Sequence, residues 1–341
     1  MNSTKIASLT RANRLSNVSG HWLRLCIAVL VLTCPAIYAG PDAEFDIVYG
    51  HGDITVNGEI KSRPLLMDAY YPSDPVANVE TGLPAVVYVH GGAFHRGGRR
   101  KPPYELGAAI HSSPEDWAAF LTRKGYAVFV IEYRLAPENP SVEFSPGEAG
   151  TVHDLRSVIA EADMLAFSRA RSALGMPALP YTDDGLQLFF DAYMAAVEDA
   201  TTAVNYLIAN STELGIDPTR LAMGGHSAGG AITLSVGLGM KAPLKAIFPL
   251  SPANTIFTTE HLASKSSHPP TLISFAQYDE PALLRMAPVV VNQLQQLEVQ
   301  YELRWVPGYM HFYPFNSPTL GDDGVTKALG NAVTDWLNRY L

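Results

Sequence analysis

The stretch Gly225-His226-Ser227-Ala228-Gly229-Gly230 leaves this chain few ways to fold locally. A short apolar run, Arg220–Met223, comes just before it, and a helical run, Ala231–Leu238, just after. A serine at the apex of a tight strand-to-helix turn adopts a strained conformation. The glycines around it are needed because backbones crowd there. Such a turn presents the Ser227 hydroxyl at the start of a helix, where the Ala228 N–H and the helix dipole favour negative charge. With 27 glycines in the chain a bare Gly-x-Ser-x-Gly could arise by chance, so the flanking strand and helix carry the inference.

The rest of the chain agrees with that context. Short β-branched and aromatic runs occur at Phe45–Tyr49, Leu65–Tyr71, Ala85–His90, Ala127–Tyr133, Ala246–Leu250, Thr271–Phe275 and Leu303–Val306. Several are continuously apolar, as strands are when helices cover both faces of a sheet. Helical patterns lie between them at Glu115–Lys124, Leu186–Ala209, Leu283–Leu297 and Val325–Tyr340. The expected fold class is α/β, a mostly parallel, doubly wound sheet with helices on both faces. Residues 139–186 break the rhythm. They hold a Pro-, Gly- and Glu-rich loop, a helix face marked by Leu155, Val158, Ile159, Ala162 and Ala166, and a second loop at Met176–Asp184. That is too long for a plain connection, so it is expected to be a cap inserted into a domain spanning 40–341.

A serine hydroxyl needs a base, and the base needs an orienting acid. His311 follows the last expected strand, which is where the order Ser…Asp…His places it. His51, His95, His111 and His153 precede the serine, and His261 and His268 precede any suitable acid. His226 adjoins Ser227 and is expected to point away. After Thr271–Phe275 comes Asp279, the expected acid, with Glu280 as the second choice. His90-Gly91-Gly92-Ala93 ends an apolar strand and supplies small residues whose N–H groups can approach an oxyanion. Gly92, Ala93 and Ala228 are the expected donors, with Gly91 shaping the turn and His90 bracing the loop. Phe94, Tyr104, Tyr278, Phe312 and Tyr313 flank these motifs and are expected to line the substrate pocket.

His90–Ala93, Tyr133-Arg134-Leu135-Ala136-Pro137-Glu138, Gly225–Gly230, Asp279 and Pro307-Gly308-Tyr309-Met310-His311 together resemble the hormone-sensitive-lipase family of microbial carboxylesterases, from about Leu65 to the C-terminus. The resemblance implies an α/β-hydrolase fold with a cap near the site, and cofactor-free hydrolysis of short-to-medium acyl esters through an acyl-enzyme. It supports Ser227, Asp279 and His311 as the triad. Ala93 stands where that family usually has a third glycine, His226 replaces the usual acidic residue, and residues 139–186 interrupt the usual direct run into the next helix. Feruloyl- and acetylxylan-type esterases share the Gly-His-Ser-Ala-Gly-Gly turn. An amidase or peptidase with the same triad, and a non-catalytic binding protein on the same scaffold, are the competing readings.

The N-terminus points to export. Lys5, Arg11, Arg14 and Arg24 precede the apolar run Leu25–Leu32, and Pro35-Ala36-Ile37-Tyr38-Ala39 ends the segment. This pattern predicts a signal peptide over 1–39, with a retained N-terminal anchor as the alternative, and so a secreted or periplasmic protein. Both cysteines, Cys26 and Cys34, fall inside it, which removes disulfides and thiol chemistry from the mature chain. Loss of the four basic residues moves the net charge from −9 to −13. An acidic chain without a basic stripe is not expected to bind nucleic acid. The dense positive run Arg96, Arg99, Arg100 and Lys101 reads as a solvated loop, or else as a patch attracting an acidic substrate. No metal-ligand spacing, phosphate loop or dinucleotide fingerprint occurs, so a small-molecule ester substrate and no cofactor are expected.

Overall fold

In the computed structural model the described residues are 42–73, 82–100, 111–143, 151–154, 156, 159–240, 242–264 and 267–341. The expected signal peptide and Tyr104 lie outside them. Among the described residues no helix is long and apolar enough to cross a membrane.

The chain opens with a long hairpin, β1 (Asp42–Val56) and β2 (Glu59–Tyr71). Asn57 and Gly58 turn it, with φ of 54° and 81°. Two left-handed residues in sequence match the right-handed twist of the flanking strands. There follow β3 (Leu83–Val89), α1 (Pro114–Thr122), β4 (Ala127–Ile131), α2 (Glu161–Ala173), α3 (Asp183–Ala209), β5 (Ile216–His226), α4 (Ala228–Leu234) and β6 (Ala246–Leu250). The last part runs α5 (Thr259–Ala263), β7 (Thr271–Tyr278), α6 (Pro281–Gln296), β8 (Tyr301–Met310), β9 (Pro318–Gly321), β10 (Thr326–Ala328) and α7 (Leu329–Tyr340).

The strands form one sheet in the order β1-β2-β4-β3-β5-β6-β7-β8-β9-β10. Strands β4, β3, β5, β6, β7 and β8 run parallel, and the outer pairs are antiparallel. One apolar cluster joins α3, α4 and α6 to one face through residues such as Met194, Val204, Ile232 and Leu294. A second joins α1 and α7 to the other through Trp117, Leu121, Trp336 and Leu337. This is the doubly wound arrangement the continuous apolar runs imply. Strand order reverses around β3, whose chain successor β4 lies on one side and β5 on the other. Loops leaving the C-terminal ends of β3 and β5 therefore meet over the sheet, at the place where such sheets bind ligands.

Three elements differ from expectation. Residues 326–328 pair with β9, so the last helix starts at Leu329 rather than Val325. Both hairpin strands run well past their apolar portions, because antiparallel pairing continues through residues with exposed side chains. Within the Arg96–Lys101 run, Arg99 and Arg100 are tied to carboxylates rather than simply solvated. Arg99 pairs with Asp68, Asp46 and Glu132, and the Arg100 Nε donates to Asp68 Oδ2 at 3.1 Å. Asp68 is fully buried, and a buried carboxylate needs such partners. Lys101 lies outside the described residues.

Within 139–186, Pro140 bridges to Ile54, and Val152 bridges to Phe257. Helix α2 starts at Glu161, later than the expected apolar stripe, of which Leu155 and Val158 lie outside the described residues. Ile159, Met164 and Leu179 join the core beside α3.

Candidate active site

Four successive parallel strands each deliver one polar group at their C-terminal ends: Ser227 after β5, Ser251 after β6, Asp279 after β7 and His311 after β8. Ser227 has φ 59° and ψ −119°, a conformation costly for a residue with a side chain. Its surroundings hold it there. The Ser227 N–H donates to Leu250 O at 2.8 Å, and the Ser227 carbonyl accepts from Ala231 N at 3.0 Å. A Cβ at Gly225 would lie 2.5 Å from Val89 O, and one at Gly229 only 2.1 Å from it. The glycines therefore let the end of β3 press against the turn. The same closeness brings Gly91 over the serine, where an added Cβ would sit 2.8 Å from His226 O and 3.2 Å from Ser227 Cβ.

The His311 Nε2 lies 2.8 Å from Ser227 Oγ, and its Nδ1 lies 2.6 Å from Asp279 Oδ1. Glu280, the second choice, caps α6 instead, and its N–H donates to Asp279 Oδ1 at 2.9 Å. The other Asp279 oxygen accepts from Ser251 Oγ at 2.5 Å and Ala276 N at 3.2 Å. Burial alone would raise this carboxyl. The hydrogen bond and charge of His311, with those N–H and O–H donors, bring it below the ordinary carboxylate value.

A cavity of about 340 Å³ lies above this chain of groups. Gly91, Gly92, Ala93, Ala228, Ser227 and His311 line it together. Phe94 lines it as expected, packed edge-on against Phe189 of α3 at 5.6 Å. Phe312 lines it beside His111. Tyr313 also reaches it, but its hydroxyl turns back to Ser251 Oγ at 2.8 Å and Ser274 Oγ at 3.2 Å. Tyr278 is a correction. It is 58% exposed and does not line the cavity, because β7 continues through it and pairs it with exposed Met310.

His226 is a second correction. It does not point away from the site. Its Nε2 lies 2.8 Å from the His311 carbonyl, and the two rings are 4.7 Å apart. Burial, then the neighbouring His311, lowers its pKa from 6.5 to about 3. A neutral His226 can donate to that carbonyl without adding positive charge beside His311. His90 braces the loop after β3: its Nδ1 lies 2.7 Å from Gly91 O, and its ring stacks on Tyr133 at 4.3 Å. Burial lowers its pKa to about 4. Ser251 was not anticipated. It stands just past the end of β6, at φ 44°.

These two histidines make acid sensitivity a testable property. Both are depressed in the folded state, so below pH 6.5 the unfolded chain takes up protons that the native chain refuses. Stability is then complete above about pH 6.5 and lost as pH falls toward 4, by up to about 1.4 kcal/mol per unit for buried His90 and by less for His226, which is partly exposed at the cavity wall. Thermal melts at pH 7.5 and 4.5 should show a marked fall, and the fall should shrink in His90→Gln. A melting temperature flat over that range would contradict this.

Comparison with known proteins agrees with the architecture. A family model for the alpha/beta hydrolase fold matches residues 191–268, which include the Ser227 turn. Among solved structures, a truncated carbohydrate esterase from gut microbiota superposes with a TM-score of 0.52 at 14% identity, over 90% of this chain and 98% of that one. The propionate-bound esterase 2 of Thermogutta terrifontis gives 0.50 at 14%, over 89% and 94%. Its paraoxon-phosphorylated form gives 0.50 at 14%, over 88% and 92%. The parallel sheet covered on both faces, with a serine turn after β5, makes this chain a protein of the α/β-hydrolase fold.

Proposed function

We propose that this protein is a serine carboxylic-ester hydrolase with Ser227 as nucleophile, His311 as base and Asp279 as acid. The observation that carries the reading is the unbroken chain from Ser227 Oγ through His311 to buried Asp279 at the base of the cavity. Ser227 Oγ attacks the ester carbonyl carbon as its proton passes to His311 Nε2. The resulting oxyanion takes hydrogen bonds from the Gly92, Ala93 and Ala228 amides, in the loop that Gly91 shapes. The C–O bond breaks, and His311 returns its proton to the departing alcohol. Water then attacks the acyl-serine, again losing a proton to His311; the bond from the acyl carbon to Ser227 Oγ breaks, His311 returns that proton to Oγ, and the carboxylic acid leaves. Asp279 keeps the Nδ1–H of His311 pointed inward and stabilises the imidazolium.

Helix α2 supports a capping role for 139–186, since Phe167, Ala170 and Ala173 join the cavity wall. A small ester fits a space of this size better than a polymer chain. We also propose export through cleavage near Ala39.

An organophosphate tests the nucleophile directly. The Thermogutta esterase is phosphorylated by paraoxon. Treated with paraoxon, this protein should gain one diethyl phosphate, located by mass spectrometry on the peptide containing Ser227. An unmodified chain, or a label elsewhere, would oppose the assignment.

A further inference from the structure

The loop after β3 holds an unfavourable backbone. Ala93 and Phe94 follow one another in the left-handed region, at φ 55° and 60°. Neither is a glycine, so neither keeps that conformation without help from its surroundings. His95 gives that help from its backbone and its side chain. Its N–H donates to Gly92 O at 3.1 Å, and its Nδ1 lies 2.6 Å from Ala93 O. A carbonyl only accepts, so the ring proton sits on Nδ1. The two carbonyls belong to successive peptide units. A trans peptide sets its N–H opposite its C=O, and no cis bond occurs among the described residues. Holding Gly92 O on the His95 side therefore turns the Ala93 N–H the other way, and holding Ala93 O sets the unit that follows. Ala93 itself lines the cavity with Ser227.

The ring has little freedom. His95 is 2% exposed and faces Phe167 of α2 at 6.3 Å, with the ring planes 30° apart. Its Nε2 is buried and has no hydrogen-bond partner. A phenyl ring would fill the same space without a buried unpaired nitrogen, so what histidine adds here is the Nδ1–H. Phe167 also lines the cavity. The segment 139–186 thus walls the cavity and seats the ring that fixes the loop.

We propose that His95 is a positioning residue for the ester hydrolysis, its Nδ1–H gripping Ala93 O so that the Ala93 N–H stays aimed at the oxyanion. This deepens the ester-hydrolase reading and rests on it. His95 moves no proton in the reaction and acts through Ala93 alone.

His95→Phe keeps a ring against Phe167 and removes the donor. On p-nitrophenyl butyrate its kcat/KM should fall about 10- to 100-fold, since misplacing an oxyanion donor costs less than removing one. The thiono ester, with C=S in place of C=O, separates this effect from a general loss of structure. Sulfur accepts hydrogen bonds weakly, so its reaction gains less from the oxyanion donors. The oxygen-to-thiono ratio of kcat/KM, measured on one preparation, does not depend on the fraction folded. That ratio should fall about tenfold in His95→Phe. His95→Asn sets an amide Nδ2 where Nδ1 stood and should recover most of the ratio. His95→Leu removes the donor with less bulk and should reproduce the fall if the phenyl ring prevents folding. An unchanged ratio in the folded donor-less variant, or a ratio in His95→Asn as low as in that variant, overturns the role of His95 and leaves ester hydrolysis standing. No turnover of p-nitrophenyl butyrate by the parent protein overturns the ester-hydrolase reading and this role together.

Discussion

Replacing Asp279 with Asn should lower kcat on a p-nitrophenyl ester by a factor on the order of 10³–10⁴ while leaving the fold intact. Asp279 Oδ1 accepts from His311 Nδ1 at 2.6 Å, and Oδ2 accepts from Ser251 and Ala276. An asparagine fills the same space and can still accept through its one oxygen. The Ser251 hydroxyl and Ala276 N–H compete for that oxygen, so the Asn NH₂ turns toward His311. A donor there requires Nδ1 to be unprotonated, which places the ring proton on Nε2, facing Ser227. The imidazole then cannot take the serine's proton. Melting temperature should change by only a few degrees, since packing around a side chain of equal size is kept. Glu280→Gln should lower the rate far less, because its side chain stands outside the Ser227–His311–Asp279 chain. A large loss from Glu280→Gln with a small one from Asp279→Asn would reverse the assignment.

The second large effect concerns stability. Arg134→Ala should destabilise the protein by about 3–5 kcal/mol, roughly 5–15 °C in melting temperature. Arg134 is buried and ties together four parts of the chain. It pairs with Asp199 and Glu198 of α3, and its Nη1 donates to Asp53 O of β1 at 3.1 Å and Ser141 O at 2.6 Å. Its backbone N–H also donates to Asp199 Oδ2 at 2.8 Å. Removing the guanidinium leaves Asp199, only 2% exposed, without its charge partner. Burial already raises the Asp199 pKa against the pull of Arg134, and losing Arg134 raises it further. A raised carboxyl is stabilised in its protonated form, so the penalty should be larger at pH 8 than at pH 5. Denaturant melts of both proteins at the two pH values check this. A loss under about 1 kcal/mol at pH 8 would show that the network is dispensable.

Much of this site was readable from sequence because its parts are local. The Ser227 turn, the His90–Ala93 loop and His311 each follow an apolar strand directly, and each carries glycines whose need is visible in the letters. Asp279 could be placed only to within a residue by sequence, since register at a strand end decides between it and Glu280. The hidden parts depend on what lies across the sheet. Ser251 matters because β6 stands beside β7, and no pattern in Pro249-Leu250-Ser251 reveals the carboxylate it meets. His226 was misplaced because adjacency along the chain says little about a side chain when the backbone turns at Ser227. Tyr278 failed for the converse reason: it adjoins the acid in sequence, yet its strand continues and turns it outward. Arg99 and Arg100 looked like surface because their acidic partners, Asp46 of β1, Asp68 of β2 and Glu132 just after β4, are far away in sequence.

The most direct test of the central claim is the rate of p-nitrophenyl butyrate hydrolysis by the parent protein and by Ser227→Ala, at equal concentration and with folding checked by circular dichroism. Loss of the nucleophile should lower kcat by at least about a thousandfold, toward the uncatalysed rate. Equal rates in the two proteins would mean that Ser227 does not attack the ester.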